Sequence, residues 1–417
     1  MRPALSPNRR QFLKTAAGTA AVAITAASYG RVVGANDRIS IGVIGCGRRG
    51  LGAHMPGVHA HAEAENVQIT AVCDVWQRHL RQAAAKTEEW YGRPARQFTS
   101  YRELLAQDDV DAVMIASCDH QHCTHLEAAA ETKKDAYCEK PLAMTLDELK
   151  SACDAVKASG VIVQIGTQSR SYPGMVGVKK LYETGALGKI SRVEQMRNGS
   201  KPYWYKRLEP GVKESDVDWK EFLTNRPQRP YSDRQFTGWY GYRDFSSGPV
   251  GGYMSHFIDL IHFITGAQFP TSAVAHGGTF TWIDENHFDC PDHVETTLVY
   301  PEGFMVSYVT NFGNSSGSRT AMYGSRGVID FSNRQKPFAS GAGGYEKGPL
   351  RAEVPVEPVE CPDHFLNWLQ CLRSRNSPVA PIEAGYQHGV AVILSDLAYA
   401  TGQRQIYDHR KREIRAG

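Results

Sequence analysis

A chain of 417 residues with a net charge of +3 is too long for one compact core and suits two domains. Its residues are 41% hydrophobic, 10% aromatic and 22% charged, the balance of a globular protein, and so small a charge gives no reason to expect nucleic acid as a partner. Nine cysteines, scattered singly with no C-x-x-C pair, exclude a disulfide framework and a zinc-knuckle spacing, and read as small core residues.

Residues 1–35 read as a targeting segment: Arg9, Arg10, Phe12, Leu13 and Lys14 precede an Ala-rich run from Thr15 to Ser28. The order resembles a twin-arginine export signal, which implies export of an already folded protein to the periplasm; the alternative is a basic N-terminal tail. The run is short and interrupted, so it suits a signal better than a membrane span, and no span is expected in the mature chain.

Residues 36–165 then alternate strand and helix patterns: Ile39–Gly45, a helix after Gly50, Val67–Asp74, Gln77–Tyr91, Tyr101–Ala106, Asp111–Ser117, His122–Thr132, Ala136–Glu139, Leu146–Ser159 and Val161–Gly166. This rhythm predicts an α/β unit, a Rossmann doubly wound parallel sheet. Asp147 and Glu148 suit the start of their helix and Gly160 its end. From 166 to 417 the character changes. Aromatic and proline-rich loops run from Tyr172 to Phe245, then alternation over Ser272–Trp282, Val294–Tyr300, Gly303–Asn311, Arg319–Tyr323 and Gly327–Phe331 predicts an α+β domain with an open, largely antiparallel sheet. Asn333 to Pro358 reads as a surface excursion, and helices Asp363–Arg373 and Gly385–Thr401 follow.

The chemistry starts where the first strand runs into Gly45-x-Gly47-x-x-Gly50. Such glycines allow a tight turn, close approach to a pyrophosphate and close helix–strand packing, and the phosphates sit on the helix N-terminus. Asp74, ending the second strand, is spaced to hold the adenosine ribose. Arg48 or Arg49 would suit a 2′-phosphate, which makes NADP possible, but Asp74 repels that group, so NAD is expected. Lys140, in Glu139-Lys140-Pro141, stands at the end of a strand facing the ligand crevice, where a lysine can manage a substrate hydroxyl proton; a surface Glu–Lys pair is the alternative. His256, Asp259 and His262 recur every three residues on a predicted helix, a spacing for a metal or for a buried polar face; no metal is assigned.

The glycine turn, Asp74, the Asp111–His122 stretch, Glu139-Lys140-Pro141, Gly166-Thr-Gln168-Ser-Arg170 and His256-Phe-Ile-Asp259 together occur in the order and spacing of the glucose–fructose oxidoreductase / inositol dehydrogenase / rhizopine-catabolism oxidoreductase family, which the mature chain resembles throughout. The resemblance implies an NAD(P)-dependent oxidoreductase passing hydride between nicotinamide and a sugar, sugar derivative or cyclic polyol. It gives Gly45, Gly47 and Gly50 the phosphates and Asp74 the ribose. It places Ser117, His120 and His122 beside the nicotinamide, although His122 could simply flank its helix. Lys140 becomes the catalytic lysine, Glu139 its orienting or ribose-contacting neighbour, and His256 the acid/base partner. Asp259 is expected to serve structure and His262 little.

The sequence departs from that family at Gly252, where many members carry an aspartate; His293 either compensates or is a turn residue. Tyr203, Trp204, Tyr205, Trp239, Tyr240 and Tyr242 either stack on sugar faces or cover the sheet. An exported enzyme without a supply of free NAD is expected to keep its cofactor bound. The alternative is a redox-neutral glycosidase or lyase acting through a transient keto-sugar. A homo-oligomer is expected from the open sheet.

Overall fold

The computed structural model describes residues 37–417, so the twin-arginine segment lies outside the described residues. Strands β1 (Ile39–Ile44), β2 (Val67–Cys73), β3 (Arg96–Phe98), β4 (Ala112–Ile115), β5 (Asp135–Cys138) and β6 (Val163–Ile165) form one parallel sheet in the order β3-β2-β1-β4-β5-β6. The central strands β1 and β4 read as near-continuous apolar runs because both faces are covered, whereas the edge strand β3 is Arg-Gln-Phe and has no buried residue. Alternate residues serve opposite cores: Ile41, Val43 and Met114 join one, while Ile44, Val113 and Ile115 join the other; in β2 a register shift after Ile69 sends Ile69 to the first core and Ala71 to the second. The helix Leu146–Ser159 is closed as its sequence predicts, with Gly160 left-handed after it, and its N-cap is Thr145, whose hydroxyl accepts from Glu148 N.

The second sheet has ten strands. They are β7 (Ile190–Asn198), β8 (Ser272–Gly278), β9 (His293–Val299), β10 (Met305–Asn311), β11 (Arg319–Gly324), β12 (Gly327–Asp330), β13 (Phe338–Ser340), β14 (Val354–Pro355), β15 (Gln405–Asp408) and β16 (Glu413–Ala416), ordered β14-β13-β12-β11-β7-β10-β9-β8-β15-β16. Every pair is antiparallel except β7 with β10. Together the two sheets make the α/β architecture the sequence predicts. The central strand β7, however, lies within the stretch read as loops. Its Arg192, Glu194 and Arg197 interrupt the apolar alternation, and a register shift near Tyr323 disturbs its pairing. The helix Pro173–Glu183 escaped for a related reason: Pro173 reads as loop but is well placed at a first helical position. Strands β13 and β14 occupy the predicted excursion, and the terminal hairpin β15–β16 has no counterpart in the sequence reading.

The helix His364–Ser374 belongs to the second part of the chain but packs with the first sheet. Asp363 caps it by accepting from Phe365 N and Leu366 N, and Trp368, Leu369 and Leu372 complete the core that holds Ile41 and Val43. All nine cysteines are free thiols, seven of them buried. Among the described residues no helix is long and apolar enough to cross a membrane.

Candidate active site

At the C-terminal edge of β1 the chain turns at Gly45, whose φ of +92° is a left-handed conformation; a Cβ there would stand 2.5 Å from Ser117 N. Gly50 lies against the same turn, with a Cβ position only 2.0 Å from Gly45 O, so the following helix packs directly on the strand end. A cavity of about 490 Å³ opens over this turn. It is lined by Gly45, Gly47, Arg48, Arg49, Asp74, Ser117, His122, Glu139, Lys140 and His256. Ten of the residues predicted from sequence thus line this one cavity, and Gly50 and His120 do not.

Asp74 accepts from Cys46 N at 2.7 Å and from Trp76 N at 2.8 Å. Those bonds fix its carboxylate on the cavity lining beside the glycine turn. The turn's exposed amides and this carboxylate fit a dinucleotide: anion at the helix start, hydroxyl acceptor at the next strand's end.

His122 bridges two loops, its ring nitrogens facing Pro141 O at 2.8 Å and Ser117 O at 3.1 Å. Ser117 Oγ in turn meets His125 Nδ1 at 3.0 Å. His120 instead sits between the rings of Phe222 and Phe245, with Nε2 2.9 Å from Phe222 O. Burial pushes its pKa down to about 3, so it stays neutral. Its place is structural, anchoring the loops of residues 219–245 to the first sheet.

Glu139 is a hub. It accepts from Arg49 Nε at 2.7 Å, faces His54 Nε2 at 2.9 Å, and accepts from Gln168 Nε2 at 2.9 Å. Burial works to raise its pKa, but Arg49 and His54 outweigh it and hold the carboxyl well below its ordinary range. Lys140 follows, joined to Pro141 by a cis peptide bond, and donates Nζ to Gly252 O at 2.7 Å. Burial lowers its pKa against the pull of Glu139 and Asp119. His256, from the start of the helix Ser255–Thr265, is kept neutral by burial and then by Lys140 and Arg334, and its buried Nδ1 has no partner.

Sequence reasoning missed Asp119. It lines the cavity, is 3% exposed, and accepts from Ser246 Oγ at 2.8 Å. Burial raises its pKa to about 6, against the pull of His122 and Lys140. A raised acid stabilises the fold fully below its unfolded pKa and loses that contribution as pH rises through the folded value. Asp119→Asn is therefore expected to raise Tm relative to wild type at pH 7 and to change it little at pH 4, as thermal melts at both values will show.

The stripe on the helix Ser255–Thr265 does not converge. Asp259 pairs with Arg170 at 2.8 Å, and His262 faces Tyr300 OH at 2.9 Å. His293 lies 2.6 Å from Asp292, whose carboxylate caps the amides of Phe280, Thr281 and Trp282. A Cβ at Gly252 would stand 2.3 Å from Tyr203 OH, so a larger residue there would require that side chain to shift. Trp204, Tyr205 and Tyr242 pack on Phe288, whereas Trp239 and Tyr240 stack on each other and line the cavity.

Loops of the second part reach the cavity beside Asp74. Lys206, Arg207, Leu208 and Glu209 line it, Glu209 pairs with Arg78, and Val217 bridges to Trp76. Asp218 N donates to Val75 O at 2.8 Å.

Residues 39–167 match the oxidoreductase family with an NAD-binding Rossmann fold, 221–330 the GFO/IDH/MocA C-terminal domain, and 6–26 a twin-arginine translocation signal. Inositol 2-dehydrogenase/D-chiro-inositol 3-dehydrogenase of Shouchella clausii is 34% identical over 151 residues, covering 36% of this chain and 42% of that protein. Levoglucosan dehydrogenase of Pseudarthrobacter phenanthrenivorans is 29% identical over 187 residues, 45% and 40% of the two chains. Glycosyl hydrolase family 109 protein 2 of Shewanella sp. strain ANA-3 is 34% identical over 173 residues, 36% and 37%. The chain thus spans about two-fifths of these relatives' length. The fold is shared with the crystal structure of aldose-aldose oxidoreductase from Caulobacter crescentus complexed with glycerol, at TM-score 0.66, 20% identity, and coverage of 88% and 99%.

Proposed function

The chain belongs to the glucose–fructose oxidoreductase / inositol dehydrogenase / rhizopine-catabolism family, and from that premise we propose that it is an NAD-dependent oxidoreductase acting on a CH–OH group of a sugar, sugar derivative or cyclic polyol. One observation carries the reading: Lys140 and His256 line the same cavity as the glycine turn and Asp74. When bound, the nicotinamide supplies the hydride acceptor or donor. The protein's part is proton management. The Lys140 ammonium, now on Gly252 O, is placed to hold the substrate hydroxyl oxygen. The neutral His256, with Nδ1 unpartnered, is suited to take the proton. Asp119 supplies a second ionisable carboxyl at this end, where Gly252 offers none. The readings for Ser117 and His122 beside the nicotinamide, and for Arg48 and Arg49 near the phosphates, rest on their places along the cavity.

Asp74 supports NAD over NADP, since its carboxylate accepts a ribose hydroxyl pair and repels a phosphate. Asp74→Ala is expected to weaken NAD binding by about tenfold or more while narrowing the gap to NADP, as titration of both nucleotides measures. The roof formed by residues 206–209 favours a retained cofactor, and the twin-arginine match favours export of the loaded protein to the periplasm. Exposed Met196, Val274, Val299 and Met305 on one sheet face favour a homo-oligomer. The test is to denature purified protein, identify any released nucleotide, and follow NADH fluorescence with sugars and polyols. Protein that neither retains nor binds a nicotinamide nucleotide ends this reading.

The redox-neutral glycosidase or lyase is the second reading, favoured by the bare Gly252 and by the glycosyl hydrolase relative's name. Cleavage of aryl glycosides without net NADH would put it first.

A further inference from the structure

The second part of the chain brings to the cavity a cation that has no counter-charge. Arg207 closes the helical turn Tyr203–Arg207, is half-buried, and lines the cavity together with Gly45, Gly47 and Asp74. Its guanidinium lies 4.9 Å from the centre of the Tyr240 ring and forms no ion pair or protein hydrogen bond among the described residues. The carboxylates that share the cavity are engaged elsewhere. Glu139 pairs with Arg49, Glu209 with Arg78 and Glu221 with Arg102, while Asp119 accepts from Ser246 Oγ and Asp74 from two backbone amides.

Its neighbours fix where along the cavity it stands. Tyr240 meets Tyr203 edge-on at 5.2 Å, and the Tyr203 hydroxyl lies against Gly252, whose carbonyl holds Lys140. Two residues further on, Glu209 takes both Nη atoms of Arg78, whose guanidinium stacks 3.6 Å over Trp76, the residue whose amide donates to Asp74. Glu209 N also donates to Thr237 Oγ1 at 3.1 Å, so this point of the segment is tied to both parts of the chain. The segment thus runs from the neighbours of Lys140, at the reacting end, to those of Asp74, which takes the adenosine ribose. In a dinucleotide the pyrophosphate joins those two halves, and its paired anionic oxygens match a guanidinium fork.

We propose that Arg207 clamps the pyrophosphate of the bound dinucleotide from the second part of the chain, completing the anion site that the glycine turn begins. This rests on the dinucleotide reading above. The glycine turn offers neutral amides from one part of the chain and Arg207 a full charge from the other, so the bound phosphates tie the two together. The Glu209–Arg78 pair holds the segment that carries Arg207.

The test is fluorescence titration of the charcoal-treated full chain with NADH, followed by displacement of that NADH with ADP-ribose, which keeps the pyrophosphate and lacks the nicotinamide. Arg207→Gln is expected to weaken both ligands by about tenfold or more, and by the same factor, with NADH release faster to match. Arg207→Lys, which keeps the charge without the fork, is expected to regain part of the loss. The melting transition of each variant without ligand reports its fold, and it should match wild type because Arg207 makes no hydrogen bond to the protein. NADH held by Arg207→Gln as tightly as by wild type overturns the proposal. So does a loss confined to NADH with ADP-ribose binding unchanged, which would put Arg207 on the nicotinamide half. Either result leaves the dinucleotide reading standing, whereas a wild-type chain that binds neither ligand ends both.

Discussion

Replacing Lys140 by methionine is expected to lower kcat by about 10²- to 10⁴-fold while leaving bound nucleotide in place, the range that loss of a positioned proton-transfer group produces. The reason is local. The lysine's ammonium is the donor that reaches across the crevice to Gly252 O, and methionine keeps the aliphatic stem without that donor. Two measurements separate chemistry from collapse. Nucleotide content after denaturation should match wild type, because Asp74 is held by Cys46 N and Trp76 N, bonds in which Lys140 takes no part. Single-turnover hydride transfer should carry the whole loss. Wild-type turnover by the variant would return Lys140 to a strand-end ion-pair partner of Glu139.

Arg170→Met is expected to cost about 3–5 kcal/mol of stability, because it leaves a buried carboxylate without its counter-charge. Asp259 is 1% exposed, and Arg170 Nε meets it at 2.8 Å, with His388 Nδ1 at 3.7 Å from its other oxygen. Burial works to raise its pKa, yet Arg170 and His388 prevail and depress it. A depressed acid contributes stability above its unfolded pKa of about 3.9 and loses it as pH falls through the lower folded value. The gap between wild type and variant should thus be widest near neutral pH and shrink below about pH 4, as denaturant titrations across that range will measure. A constant gap would mean that Arg170 acts through its packing on Phe263 rather than through charge.

The parallel sheet was legible because its signals are local: an apolar run, a glycine turn and a carboxylate within one unit. Lys140 was legible for the same reason, since Glu139-Lys140-Pro141 is contiguous. What escaped depends on distant partners. Asp119 stands inside a stretch the resemblance quoted, but its role comes from burial and from Ser246, far along the chain. His120 looked like its neighbour His122 until Phe222 and Phe245 closed over it. Gly252 read as a lost carboxylate; the structure adds that Tyr203 occupies the room such a side chain would need. Strand β7 escaped because its outward face is charged and its register shifts, so the period of two is broken in the strand that joins the sheet's halves.

The return of Trp368, Leu369 and Leu372 to the first sheet sets a timetable for synthesis. Strand β6 ends at Ile165, and the helix that completes its core begins at His364, so roughly 200 residues must leave the ribosome in between, which takes about 10–40 s. Throughout that interval the nascent nucleotide-binding half shows an apolar groove where the indole of Trp368 will lie. A chaperone or a premature dinucleotide would meet an unfinished domain until the helix His364–Ser374 has emerged to close it. For a protein exported folded, as proposed above, that late closure makes departure from the cytoplasm conditional on synthesis through Ser374.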